Sequence, residues 1–140
     1  MISTDSDISP THRVLVVEDN QHTAHLLEFL FSRAGYEVQT AIDGREAQAI
    51  LGETEPTDLI VLGLMLPYVS GYQIIIDAKQ IPAWQHVPIL VLSGKVLEQD
   101  VVRAFDLGAN DYVTKPFRPR ELLARARRLI LTYEMLRHVE

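Results

Sequence analysis

Four aliphatic runs in this sequence end beside residue types that could act together in one site. The run VLVV is followed by Glu18 and Asp19, and the run VPILVLS ends on Ser93. The run DYVT is followed by Lys115, whereas DLIVL is followed by Gly63. Carboxylates can bind hard cations, and an ammonium group with a hydroxyl can bind anionic oxygens. The residue types therefore predict polar chemistry around a position that has no side chain.

These runs alternate with segments of helical periodicity, which predicts five strands and five helices. The predicted strands are VLVV, YEVQTA, DLIVL, VPILVLS and DYVT. The predicted helices begin near Asn20, Asp43, Gly71, Glu98 and Pro119. Parallel strands need crossover connections, so this order predicts a parallel sheet with helices on both faces. In such a sheet the functional residues lie at the carboxyl ends of the strands, where all the residues above are found.

Several motifs, in this order, resemble the receiver domain of the two-component response regulators. VLVVEDN resembles the first strand and acidic pair of that family, and DLIVLGLMLPYVSGYQ its third strand and the loop beyond. LVLSG resembles the strand with the switch hydroxyl, and LGANDYVTKPF the switch aromatic before Lys-Pro-Phe. The resemblance covers about Arg13 to Leu131. It implies a flavodoxin-like (βα)5 fold, a doubly wound parallel five-stranded sheet with strand order 2-1-3-4-5.

The resemblance also implies a role for each polar residue of the site. It implies metal-binding carboxylates at Glu18 and Asp19, a switch pair at Ser93 and Tyr112, a phosphate-binding Lys115 and a cis peptide at Pro116. In the family an aspartate after the third strand accepts a phosphoryl group, and magnesium neutralises the charge that develops. That acceptor position is residue 63, which is Gly63 in this sequence. The resemblance therefore implies an atypical receiver without its acceptor.

No other carboxylate is expected to replace the acceptor. Asp58 lies five residues earlier on the same strand, roughly 16 Å away at the opposite edge of the sheet. Use of Glu18 or Asp19 would leave the metal shell incomplete. We therefore expect no resident cofactor, only weak Mg²⁺ binding, and a salt bridge between Lys115 and Asp19 inside the pocket.

Three of the singled-out side chains have simpler interpretations. Ser93 could instead cap the following helix, and Tyr112 could be a packing aromatic. His22 and His25 lie three residues apart on the first helix, but a metal site would need a third ligand. We expect both histidines to be surface residues.

Composition sets limits on the class of protein. A chain of 140 residues with 47% hydrophobic residues can bury a core, and its net charge of −6 argues against nonspecific nucleic-acid binding. The chain has no cysteine and no apolar run near the ~20 residues of a membrane helix, so we expect a cytoplasmic protein. The polar residues 1–11 are expected to be disordered, and residues 12–140 to form the receiver domain.

The last predicted helix carries much of the positive charge. Six of the ten arginines lie between Arg118 and Arg137. The side of this helix that is expected to pack on the sheet carries Leu122, Ala126, Leu129, Tyr133 and Leu136. Asp111 and Arg125 resemble a charged pair that related receivers exchange across a symmetric dimer formed by helix 4, strand 5 and helix 5. A pair within one chain is the alternative. Residues 132–140 extend beyond a minimal receiver as a helical linker or interaction segment.

Three functions remain open from the sequence. The preferred one is a pseudo-receiver that acts through protein contacts, with a histidine kinase or a downstream effector as partner. The second is a phosphorylatable receiver silenced by an Asp-to-Gly change at residue 63. The third is a small-molecule or metal-binding regulatory domain around Asp19, Ser93 and Lys115. No enzyme is expected, because neither a nucleophile–base pair nor a phosphate-cradling glycine loop is present.

Overall fold

Five parallel strands form one sheet in the order β2-β1-β3-β4-β5, as predicted. The computed structural model describes residues 11–138. The strands are β1 (Arg13–Val17), β2 (Glu37–Ala41), β3 (Leu59–Leu62), β4 (Ile89–Ser93) and β5 (Asp111–Thr114). The helices are α1 (Gln21–Arg33), α2 (Gly44–Glu53), α3 (Gly71–Gln80), α4 (Glu98–Leu107) and α5 (Pro119–Arg137). The flavodoxin-like, doubly wound fold is therefore confirmed, and all five strands end at one edge of the sheet.

Short polar residues begin three of the helices. The side chains of Asn20, Asp43 and Ser70 accept hydrogen bonds of 2.9, 2.8 and 3.3 Å from backbone N–H groups three residues later. Such caps satisfy donors that a helix start leaves unpaired. Two glycines end helices, because Gly35 (φ 99°) and Gly108 (φ 123°) adopt backbone angles that side chains disfavour.

The sheet is covered on both faces by helices. Leu15 and Val17 of β1 pack in the cluster that contains α2, α3 and α4, whereas Val14 and Val16 pack in the cluster that contains α1 and α5. All four are at most 1% exposed. Successive side chains of a strand point to opposite faces, so an uninterrupted apolar run is what a strand buried on both faces requires.

Helix α5 differs in part from the packing predicted for it. Its buried residues are Leu122, Ala126, Ile130 and Tyr133. The prediction that Leu136 packs on the sheet was wrong, since its side chain is 63% exposed. This turn of α5 lies beside residues that precede β4 and β5, where the sheet no longer offers a covering surface.

The described residues leave the terminal predictions largely open. The predicted disordered segment, residues 1–11, lies outside the described residues except for Thr11, and so do the last two residues of the predicted extension 132–140. The boundary of a domain at residue 12 stays a prediction. Across the described chain, none of the helices combines the length and apolar character that crossing a membrane requires.

Candidate functional site at the carboxyl edge of the sheet

The predicted site residues meet where the strands end. Glu18 follows β1, Gly63 follows β3, Ser93 closes β4 and Lys115 follows β5. Backbone hydrogen bonds join these neighbouring ends: the Gly63 N–H donates to the Val17 carbonyl at 2.9 Å, and the Lys115 N–H donates to the Ser93 carbonyl at 2.9 Å. The sheet hydrogen bonds thus continue to the site and fix its backbone.

A partly buried ion pair joins Glu18, which follows β1, to Lys115, which follows β5. Lys115 Nζ lies 3.0 Å from Glu18 Oε1, and the side chain of Glu18 is only 4% exposed. The other carboxylate oxygen of Glu18 accepts the Asn20 N–H at 3.0 Å. A buried carboxylate needs such partners, because burial removes the water that would solvate its charge.

The predicted salt bridge between Lys115 and Asp19 was therefore wrong in its partner. Asp19 is exposed and already solvated by water, whereas Glu18 is buried. Lysine pairs with the carboxylate that lacks solvent, since the Coulomb attraction is larger where the dielectric is lower. The pocket does contain an internal ion pair, made by the neighbouring acid.

Gly63 itself is buried but not crowded. A Cβ built on it would lie 3.5 Å from Glu18 Oε1, 3.5 Å from the Val17 carbonyl oxygen and 3.7 Å from Leu66 Cδ2. These are ordinary van der Waals distances, so the backbone accepts a side chain at this position. Gly71 differs, because its Cβ would overlap the Gly63 carbonyl where the loop folds back over β3. The glycine at 71 is demanded by close packing, and the glycine at 63 is not.

The carboxylates here fit a magnesium ion poorly. Both oxygens of Glu18 have partners, Lys115 and the Asn20 N–H, and Gly63 has no side chain that could supply a ligand. Among residues 11–138, no group of three or more His, Asp or Glu side chains is arranged to hold a metal ion. Mg²⁺ prefers octahedral oxygen ligands, so Asp19 and the already paired Glu18 make an incomplete shell.

Ser93 and Tyr112 meet at the segment between β4 and α4. The Tyr112 hydroxyl donates to the Lys95 carbonyl at 2.8 Å, and Ser93 Oγ accepts the Lys95 N–H at 3.1 Å. Burial of the phenol raises the pKa of Tyr112. The alternative that Ser93 caps the next helix was wrong, because Leu97 is the N-cap residue of α4 and makes no side-chain cap.

The cavity beside Glu18 does not include all of the predicted site residues. It has a volume of about 510 Å³ and is lined by Glu18, Asp19, His25, Asp43 and Tyr68, among others. Neither Ser93 nor Lys115 lines it. The pocket expected from Asp19, Ser93 and Lys115 is therefore not one continuous cavity in the described structure.

A family model describes this arrangement over most of the chain. The model of the response regulator receiver domain matches residues 14–127. The chain belongs to the response regulator receiver family. The β1 acids, the β4 hydroxyl and the β5 lysine of this receiver all lie within the matched residues.

Curated transcriptional regulators are among the proteins that are similar to this receiver. The alkaline phosphatase synthesis transcriptional regulatory protein PhoP of Bacillus subtilis is 42% identical over 123 residues, which cover 88% of this chain and 50% of PhoP. The receiver spans about half the length of the curated relatives it matches, 48% and 50% for two of them.

Solved receiver domains are similar to this chain in fold and in part of their sequence. The signal receiver domain of a histidine kinase from Syntrophus aciditrophicus is 30% identical, with a TM-score of 0.80, and the match covers 87% of this chain and 92% of that one. The receiver domain of the sensor histidine kinase PA1611 from Pseudomonas aeruginosa is 29% identical, with a TM-score of 0.79; the match covers 86% and 98%. That structure has a magnesium ion coordinated in its active-site cleft.

The predicted dimer pair of the receiver is engaged within one chain. Arg125 Nη1 lies 3.1 Å from Asp111 Oδ2, and Arg125 Nη2 lies 3.1 Å from Glu121 Oε2. The side chain of Arg125 is 44% exposed, so the pair lies at the surface. The intramolecular alternative therefore describes the geometry of the isolated chain, and the dimer stays a prediction.

Two parts of the site were missed by sequence reasoning. The backbone of Lys95 binds both Ser93 and Tyr112, but no side-chain pattern signals a backbone contact. The cis peptide between Lys115 and Pro116 is not among the missed parts, because the resemblance implies it and the structure has it. The choice of Glu18 over Asp19 as the partner of Lys115 carried no sequence signal, because the two acids are adjacent.

Proposed function

We propose that this chain is a receiver without a phospho-acceptor, a pseudo-receiver that signals through protein contacts independently of phosphorylation. Family membership supplies the coarse function, a receiver domain of two-component systems. The observation that carries the finer proposal is Gly63 directly after β3, at the position that the family resemblance assigns to the acceptor aspartate. A hydrogen atom cannot attack a phosphoryl group, so the covalent step has no nucleophile.

The ion pair beside Gly63 supports the proposal. Lys115 Nζ, which by resemblance would contact phosphoryl oxygens, lies 3.0 Å from Glu18 Oε1. The same carboxylate would by resemblance bind magnesium. Each group thus neutralises the other's charge, so Glu18 and Lys115 need neither a metal ion nor a phosphoryl group as a partner. We propose that the native domain binds Mg²⁺ weakly and uses no resident cofactor.

The decisive experiment is an amide NMR titration with magnesium and then beryllofluoride, a phosphoryl mimic. The native chain is compared with Gly63→Asp, which restores a carboxylate, and with Gly63→Asn, which adds the same volume without charge. The proposal predicts shifts around Ser93, Tyr112 and α4 in Gly63→Asp only. The same shifts in the native chain would contradict it, as would a stable phosphoryl group after incubation with acetyl phosphate.

One observation favours a second candidate, a phosphorylatable receiver silenced by an Asp-to-Gly change. The nearest atom to a Cβ at residue 63 is 3.5 Å away, so the fold keeps room for the missing side chain. The gene decides between the two: an aspartate codon at position 63 in the natural source would favour the silenced receiver. A glycine codon would favour the pseudo-receiver.

The partners proposed for this domain are a histidine kinase or a downstream effector, and no catalytic activity is proposed. A homodimer through α4, β5 and α5 would have to break or share the bonds of Arg125 to Asp111 and Glu121. Light scattering of the native chain and of Arg125→Ala tests this dimer. Equal dimer populations would show that the pair of Arg125 and Asp111 does not contribute to the interface. A monomeric native chain would exclude the dimer.

A further inference from the structure

A groove lies at the amino edge of the sheet, opposite the Gly63 site. It has a volume of about 440 Å³, and its lining includes Lys79, Asn110, Thr132, Tyr133, Leu136 and Arg137; we name it the Lys79 groove. Pockets for small organic ligands measure roughly 300–1,000 Å³. The groove is therefore large enough for a small organic molecule.

Part of this groove is made by residues that the family model does not cover. The match to the receiver family ends at residue 127, and the wall formed by Thr132, Tyr133, Leu136 and Arg137 follows it. The wall belongs to the final turns of α5, which run to Arg137. The Lys79 groove is thus a feature of this chain rather than of the receiver pattern.

Lys79 brings an incompletely paired positive charge to the groove. Its Nζ donates to the Gln85 carbonyl at 3.3 Å, which uses one of three ammonium donors. In the described chain, no salt-bridge contact joins it to a carboxylate, and its partial burial lowers its pKa. An ammonium group that has lost water without gaining an anion is the kind of group that an anionic ligand would stabilise.

The second cation of the groove is already neutralised. Arg137 Nη2 lies 3.4 Å from Asp58 Oδ1, and the guanidinium carbon lies 4.7 Å from the centre of the Tyr133 ring. Of the lysine and the arginine that line the groove, Lys79 alone makes no salt bridge within residues 11–138, so its charge is available to a ligand. A ligand with a single negative charge matches it, whereas a dianion would leave one charge uncompensated.

Apolar surface surrounds this charge. The apolar side chain of Leu136 is 63% exposed. It lines the groove together with Leu129, Tyr133 and Pro88. We propose that the Lys79 groove binds a small organic monocarboxylate, whose carboxylate pairs with Lys79 and whose apolar body covers Leu136 and Tyr133. This site is independent of the pseudo-receiver function, because it uses no residue of the Gly63 site.

An amide NMR titration with phenylacetate tests the proposal, with phenylacetamide as the neutral ligand of nearly equal shape. We expect saturable shifts at Asn110, Thr132 and Leu136 at millimolar phenylacetate, and binding of phenylacetamide at least about tenfold weaker, since a charge-assisted contact is lost. Lys79→Met should weaken phenylacetate binding by a similar factor. Arg120→Met removes a different exposed positive charge, in the first turn of α5, and should leave binding unchanged.

Each contrary result has a definite meaning. Equal affinity for the two ligands, or unchanged binding in Lys79→Met, would overturn the pairing with Lys79. Shifts scattered outside the groove, or no saturation at millimolar phenylacetate, would overturn the site itself. None of these outcomes affects the beryllofluoride experiment, whose reporters Ser93 and Tyr112 lie at the other edge of the sheet.

Discussion

The two edges of the sheet each hold a partly buried lysine, and they treat its charge differently. At the carboxyl edge, Lys115 Nζ lies 3.0 Å from the buried carboxylate of Glu18. At the amino edge, the lysine is Lys79, whose Nζ has the Gln85 carbonyl at 3.3 Å as its hydrogen-bond partner. The carboxylate of Glu18 neutralises the charge of Lys115. A carbonyl oxygen is uncharged, so water or a ligand must stabilise most of the charge of Lys79. The comparison explains why we propose a ligand at the edge opposite the family's site.

Removal of each lysine tests this contrast most strongly. Lys115→Met should lower the free energy of unfolding by about 2 kcal/mol, less than the ~3–5 kcal/mol typical of fully buried pairs because its side chain is 31% exposed. Lys79→Met should change it by under about 0.5 kcal/mol, because no ion pair is lost. Urea unfolding of both variants measures the difference. Equal losses would break the comparison.

Restoring the acceptor should make the stability of the carboxyl edge depend on Mg²⁺. Gly63→Asp adds a carboxylate beside Glu18, and the single charge of Lys115 cannot balance both, so without a metal ion the like charges destabilise each other. We expect a loss of about 1 kcal/mol in the free energy of unfolding without magnesium, recovered when Mg²⁺ binds. Thermal unfolding with and without Mg²⁺ measures this effect, and Gly63→Asn controls for side-chain volume. Equal midpoints for Gly63→Asp under both conditions would contradict it.

The pH dependence of stability isolates the charge of Lys79. Burial lowers its pKa in the folded state below the ordinary value of 10.5, so the unfolded chain binds more protons between the two pKa values. Stability contributed by Lys79 should therefore rise with pH in that alkaline window and be constant below it. Subtracting the pH profile of Lys79→Met removes the contributions of the tyrosines. A difference that falls with pH would show that Lys79 is stabilised as a cation.

Removal of the surface ion pairs of Arg125 should have the smallest effect on stability. It is the reference for the loss of the more buried pair between Lys115 and Glu18. Arg125→Ala removes contacts of 3.1 Å to Asp111 and Glu121 at a side chain that is 44% exposed. Exposed pairs contribute roughly 0.2–1 kcal/mol, so we expect a loss of about 0.5 kcal/mol. Urea unfolding should show a much smaller loss in the free energy of unfolding for this variant than for Lys115→Met. A loss as large as that of Lys115→Met would show that burial does not make the Lys115–Glu18 pair more stabilising than a surface pair.

The sequence was most informative where local rules agree with the fold. The helix Glu98–Leu107 begins at its predicted residue and ends before Gly108, and the strand Asp111–Thr114 coincides with the predicted run DYVT. It was least informative on α5, where Leu136 was expected to be buried. Helical periodicity identifies a face, but it does not say where the covering sheet ends.

The sequence by itself determined which residue types reach the carboxyl edge, since parallel strands end together and the residue after each strand can be read from the printed chain. It also determined that residue 63 has no side chain. Only the tertiary structure decided that Lys115 pairs with Glu18 and that Lys79 makes no salt bridge within residues 11–138. Adjacent or distant side chains acquire partners from how the chain folds in three dimensions, and burial then selects the partner by removing water from one carboxylate and leaving it around another.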